Sequence, residues 1–95
     1  MNKKELYQQK HQAQLDGWKA DVDKLKAKAS RSSVDAQLEL NKQIKTLKDK
    51  MQEGKTKLAK IADASEDAWE SVKADVDTAW ASIKSALSDA SAKFK

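Results

Sequence analysis

Apolar residues recur along this chain at steps of three and four, with polar residues filling the gaps. The first run is Tyr7, His11, Leu15, Trp18, Val22, Leu25 and Ala29. The second is Leu40, Ile44, Leu47 and Met51, which passes over Gly54 and resumes at Leu58 and Ile61. The third is Trp69, Val72, Val76, Trp80, Ile83, Leu87, Ala90 and Phe94. Such spacing puts each run on one face of an amphipathic helix and is the seam expected of left-handed coiled-coil packing.

Two joins separate the runs. Between Ile61 and Trp69, Asp63 or Ser65 can accept hydrogen bonds from the orphan amides of a new helix. Glu66, Asp67 and Glu70 then place negative charge against the positive end of its dipole. The chain is therefore expected to turn near residues 62–65. The other join is Ser30-Arg31-Ser32-Ser33, where the seam also loses phase, since its rows continue onto Glu39 and Gln43. Ser32 or Ser33 could cap a new helix there. A stutter inside one continuous helix would produce the same slip, and neither Gly nor Pro enforces a break.

With both joins as turns, the chain is a single all-α domain, residues 1–95. It is an elongated three-helix bundle or coiled-coil helical hairpin, with helices over roughly 3–29, 33–61 and 65–93. Without the serine turn, residues 3–61 form one helix of roughly 88 Å. Its exposed half would then pair with a second copy in an antiparallel swapped dimer. In either arrangement the packing residues are Trp18, Val22, Leu25, Leu40, Ile44, Leu47, Met51, Leu58, Ile61, Trp69, Val76, Trp80, Ile83, Leu87 and Phe94. Large apolar residues make up fewer than one in four, a thin core that favours further burial through self-association.

Composition narrows the chemistry. The absence of Cys excludes disulfides, thiolate metal sites and a cysteine nucleophile. A single His excludes His-rich zinc sites. There is no phosphate-binding Gly-rich loop, nucleophile elbow or metal-ligand cluster. The expectation is a non-enzyme without cofactor or metal. No apolar run is long enough to span a membrane and no secretory pattern opens the chain, so a cytoplasmic location is expected.

The net charge of +4 is unevenly divided, with +7 over residues 1–62 and −3 over residues 63–95. A basic arm and an acidic last helix should attract each other, which selects pairing more than it adds stability. The densest basic stretch contains Lys42, Lys45, Lys48, Lys50, Lys55, Lys57 and Lys60, opposed by Asp49 and Glu53. Clustered lysines can follow phosphates. Arg is nearly absent, however, and no aromatic is interleaved to stack on bases, so nucleic acid is disfavoured and a solvated face preferred. Trp69, Trp80 and Phe94, on the apolar stripe of residues 69–94, could mark a helix that binds peripherally to a lipid or granule surface. The Asp, Glu and Ser on its polar face argue instead for packing, with Trp18 meeting the stripe from the first helix. His11 is expected to be a satisfied or partly exposed polar residue near a bundle end. The segment Lys19-Ala20-Asp21-Val22-Asp23 recurs as Lys73-Ala74-Asp75-Val76-Asp77, which reads as amphipathic helix with Val on the seam or as a duplicated unit.

The runs LDGWKADVDKLKAKA, QIKTLKDKMQEGKTKLAKI and ASEDAWESVKADVDTAWASIKSALSDASAKFK resemble a group of short bacterial coiled-coil proteins described as a stress-response family and first named from a cyanobacterium. The resemblance covers nearly the whole chain. Its most specific part is the last third, with Trp69 and Trp80 on one stripe and the closing Ala92-Lys93-Phe94. It implies a small, all-helical protein, abundant or induced under stress, with no known chemistry. Gly17 before Trp18 and the serines of 30–33 depart from the pattern. The expected function is accordingly protein–protein contact or self-association, with a homodimer or another protein as partner.

Overall fold

The serine cluster is a turn, and each serine contributes to it. In the computed structural model, which describes residues 2–93, α1 spans Lys3–Ser30, α2 Val34–Asp63 and α3 Trp69–Lys93. At the end of α1, Ser30 Oγ donates to Ala27 O and Ser32 Oγ to Lys28 O, each at 2.8 Å, and Gln37 Nε2 reaches back to Ala29 O at 3.0 Å. Carbonyls orphaned at a helix end are thus satisfied without a left-handed residue. Ser33, extended at φ −61° and ψ 162°, caps α2 by accepting from Ala36 N at 3.4 Å. A cap of this kind is worth about 1 kcal/mol. The continuous helix over residues 3–61, and the swapped dimer built on it, are therefore corrected to two antiparallel helices.

The second join differs in detail from expectation. The third helix begins at Trp69 and not at residue 65, because residues 65–68 form a tighter turn. Ala68 N donates to both Ser65 O and Ser65 Oγ, and Trp69 N donates to Ser65 O at 2.9 Å. Ser65, not Asp63, is the acceptor. Lys4 of α1 donates from Nζ to Ala64 O at 2.7 Å. This places a cation at the negative end of α2 and ties the turn to the first helix.

The helices run up, down and up in a bundle of 51 × 20 × 18 Å. The backbone of α2 approaches both neighbours closely, whereas α1 and α3 meet mainly through long side chains. The apolar seams form one contiguous core from Leu15, Trp18, Val22 and Leu25 through Leu40, Ile44, Leu47 and Met51 to Val76, Trp80 and Ile83. Leu58 and Ile61, and across from them Trp69, extend it towards the α2–α3 turn, and Leu87 and Ala29 towards the other end. No charged side chain is buried among the described residues. Phe94 lies outside them.

Gly54 corrects the spacing of the second run. It does not interrupt the seam but sits on it, buried, completing the steps Met51, Gly54, Leu58 and Ile61. A Cβ there would lie 2.9 Å from Trp80 Cζ3 and 3.1 Å from Ile83 Cδ1. The indole of α3 occupies the volume that a side chain at 54 would need, so a glycine on α2 and a tryptophan on α3 are one packing unit. Gly17 is different: it is exposed, and a methyl group at this position would have nothing within 4 Å of it. Gly17→Ala is therefore expected to stabilise the protein by about 0.5–1 kcal/mol through helix propensity alone. A urea midpoint that fails to rise would contradict this.

Candidate functional site

The lysines singled out from the sequence do not form one surface. Lys48 lies on the α1 side of α2 together with Lys55, bordering a groove also lined by Lys19 and Lys26. Lys50 and Lys57 lie on the opposite side, facing α3, where Lys50 Nζ donates to Ser82 Oγ at 2.7 Å. Lys42 borders a further α2–α3 groove with Asp89. Lys45 pairs with Asp49 at 3.8 Å and Lys57 with Glu53 at 3.4 Å, while Lys60 is exposed. A phosphate backbone laid along α2 would meet these charges on different sides, two of them already offset by a carboxylate one turn away. That arrangement works against a nucleic-acid track.

The structure instead assembles a polar brace that periodicity does not reveal. At one end of the bundle, Tyr7 of α1 reaches α3. Its Oη donates to Asp77 Oδ1 at 2.6 Å and lies 3.1 Å from Lys73 O. The His11 ring stacks on Tyr7 with centroids 4.0 Å apart and meets Trp80 edge-on at 5.2 Å. Its Nδ1 is 3.0 Å from Tyr7 O and its Nε2 is 3.6 Å from Asp77 Oδ1. Lys73 Nζ sits 5.8 Å from the Tyr7 ring centre and 5.7 Å from that of Trp69. Burial, the hydrogen bond to Asp77 and the charge of that carboxylate together push the Tyr7 phenol well above its ordinary value. It therefore stays a neutral donor. His11 is thus a partly buried bridge between two helices, and phenol, imidazole and carboxylate are occupied with one another.

This brace also separates the two copies of the repeated segment. Val22 and Val76 are both buried, but Asp77 receives Tyr7, whereas Asp23 lies 4.0 Å from Lys26 on its own helix. The sequence signal for the brace is present in Tyr7 and His11, one turn apart on the seam, yet only the fold places Asp77 opposite them.

The aromatic stripe is enclosed. Trp18 and Trp80 lie 6.1 Å apart, and Trp69 approaches Tyr7 edge-on at 6.1 Å. Trp18, Trp69 and Trp80 are all buried, so a lipid surface could reach them only if the bundle opened. No helix among the described residues is long and apolar enough to cross a membrane. No group of three or more His, Asp or Glu able to hold a metal occurs among those residues either.

At the opposite end, Lys93 Nζ donates to Glu39 Oε1 at 2.8 Å, tying α3 to α2. The hydrogen bond and charge of Lys93 hold the Glu39 carboxyl below the usual carboxylate range, with Gln43 adding a smaller contribution. A carboxyl whose folded pKa is depressed contributes stability that is present above its unfolded pKa and lost as pH falls through the folded one. Glu39→Gln should therefore narrow the gap in Tm between neutral and acidic solution, and an unchanged gap would contradict the link.

Comparison with protein-family models, characterised proteins and solved structures finds no match to this chain.

Proposed function

We propose that this protein is a non-enzymatic helical bundle that works through protein–protein contact, chiefly self-association. The supporting observation is the placement of Val34 and Leu38. A bundle that buries most of its large apolar residues leaves three exposed among the described ones, Leu6 on α1 at 55% and, one turn apart on α2, Val34 and Leu38 at 70% and 64%. An apolar pair held on a rigid helix is suited to contact with another polypeptide. The polar brace supports the same reading, because its reactive groups are used to join α1 to α3. A stress setting and a cytoplasmic location follow from the resemblance and from the expectations drawn from sequence.

Molar mass by light scattering tests the reading. A mass that rises above 10.6 kDa with concentration is expected. A constant 10.6 kDa from micromolar to millimolar protein would overturn self-association. Chain abundance that stays flat across osmotic, oxidative and thermal stress would remove the stress setting.

A further inference from the structure

The groove between α1 and α2, on the side turned away from α3, concentrates positive charge. Lys19 and Lys26 border it from α1, and Lys48 and Lys55 from α2, above Val22 and Met51, with Asp23 as its sole acidic lining residue. All four lysines are exposed. Asp23 pairs with Lys26, whereas Lys19, Lys48 and Lys55 form no ion pair among the described residues. Lys48 lies so near Lys26 that contact and charge repulsion, with a smaller loss of hydration, lower its pKa. Four ammonium groups thus share the single carboxylate of Asp23, whose charge only partly opposes the repulsion at Lys48. Counting back along α2 from Lys55 by threes and fours gives Gln52, Lys48, Lys45, Asn41, Leu38 and Val34. The exposed apolar pair therefore continues the same row as the groove lysines.

The complement is present in the same chain. Asp63, Glu66, Asp67 and Glu70 surround the α2–α3 turn, all exposed and none in an ion pair among the described residues. The Ser65 cap and the Lys4 bond to Ala64 O hold this turn in shape, so its acids are presented on a preformed knob. Within one molecule the knob lies at the end of the bundle, whereas the groove runs along its side.

We infer that the acidic α2–α3 turn of one copy docks on the α1–α2 lysine groove of a second copy. The inference rests on the self-association proposed above and specifies its geometry. Groove against groove would bring lysines together, and turn against turn would bring acids together; groove against turn is the combination that offsets both. Val34 and Leu38 lie further along the same row of α2, towards the α1–α2 turn, and the charges set register and encounter rate. The turn and the groove are different surfaces of one chain, so the contact is either exchanged reciprocally across a two-fold axis or repeated head to tail from molecule to molecule.

A charge swap tests this with the whole chain. Light scattering is measured against protein and NaCl concentration for the wild type, for Lys26→Glu/Lys48→Glu and for Glu66→Lys/Asp67→Lys. Circular dichroism confirms that each variant is helical, and Lys19→Glu/Lys55→Glu substitutes for the groove variant if that one unfolds. The wild type should associate at low salt and dissociate as salt rises. Each variant alone should associate on the order of tenfold more weakly, and mixing the two should restore association. Wild-type association that neither variant weakens would overturn the docking mode while leaving self-association standing. A wild type that remains monomeric would overturn both. Binding of a mixed-sequence DNA duplex that is lost in Lys26→Glu/Lys48→Glu, with self-association unaffected, would reassign the groove to nucleic acid.

Discussion

Trp80→Ala should destabilise the bundle by about 3–5 kcal/mol, the usual cost of deleting a large aromatic from a core. Against a total of about 5–15 kcal/mol for a small domain, that would leave the fold near its limit. The size of the effect follows from the position of the ring. Trp80 is buried where all three helices meet, 6.1 Å from Trp18, 5.2 Å from His11 and over the backbone of Gly54. Alanine would open a cavity that α2 cannot fill, because residue 54 has no side chain to move into it. Trp80→Phe should cost less. The shorter ring still covers Gly54, and the change removes a buried Nε1 that has no protein acceptor among the described residues. Urea denaturation followed by helical circular dichroism measures both. A loss below about 1 kcal/mol for the alanine variant would show that the site collapses freely, contrary to the tight packing described.

Gly54→Leu approaches the same contact from the other helix and should cost about 3 kcal/mol, at the upper end of the usual range for overpacking. Its first side-chain atom already meets Trp80 Cζ3 at 2.9 Å and Ile83 Cδ1 at 3.1 Å, and three more carbons must be accommodated beyond it. To accommodate it, α2 and α3 would have to separate or slide. Gly54→Ala should be much milder, since about 1 kcal/mol of gained helix propensity offsets part of the clash. The diagnostic measurement is the double variant Gly54→Leu/Trp80→Ala. With the indole gone the leucine has space, so the double variant should be more stable than the sum of the two single losses by about 1 kcal/mol or more. Strict additivity would mean that the two positions do not share a volume.

These two positions also mark the limit of what a local pattern reveals. Helix class and seam follow from the three- and four-residue steps, because burial in a bundle depends on little more than which face an apolar residue occupies. Gly54 drops out of that pattern because a glycine carries no hydrophobic signal, although its place between Met51 and Leu58 satisfies the spacing. Its role depends on a ring contributed by residue 80, which neighbouring residues cannot announce. The serine turn is undetermined in the sequence for a similar reason. Ser30, Ser32 and Ser33 signal capping, but the bond from Gln37 to Ala29 O exists only once the chain has reversed. Helix α3 starts at 69 and not at 65 because Ser65 engages two amides and tightens the turn that follows.

The same limit applies to charge. The density of lysines along residues 42–60 is plain in the sequence, but their division between the two sides of α2 follows from where α1 and α3 pack. The brace at Tyr7, His11 and Asp77 joins residues 66 to 70 positions apart, beyond any helical spacing. From sequence, its parts are visible only as a polar interruption of an apolar seam.

Among the described residues, no backbone φ is positive and no peptide bond is cis. Both reversals of the chain are made without a left-handed residue, and are closed by side chains that have several chemical equivalents. Such a backbone imposes almost no fixed identities on its sequence over evolutionary time. Spacing, volume and a few caps must persist, but most individual letters can drift. Position 54 is the exception: while a tryptophan lies across it, nothing larger than alanine has room there, and a larger residue requires that the pair change together.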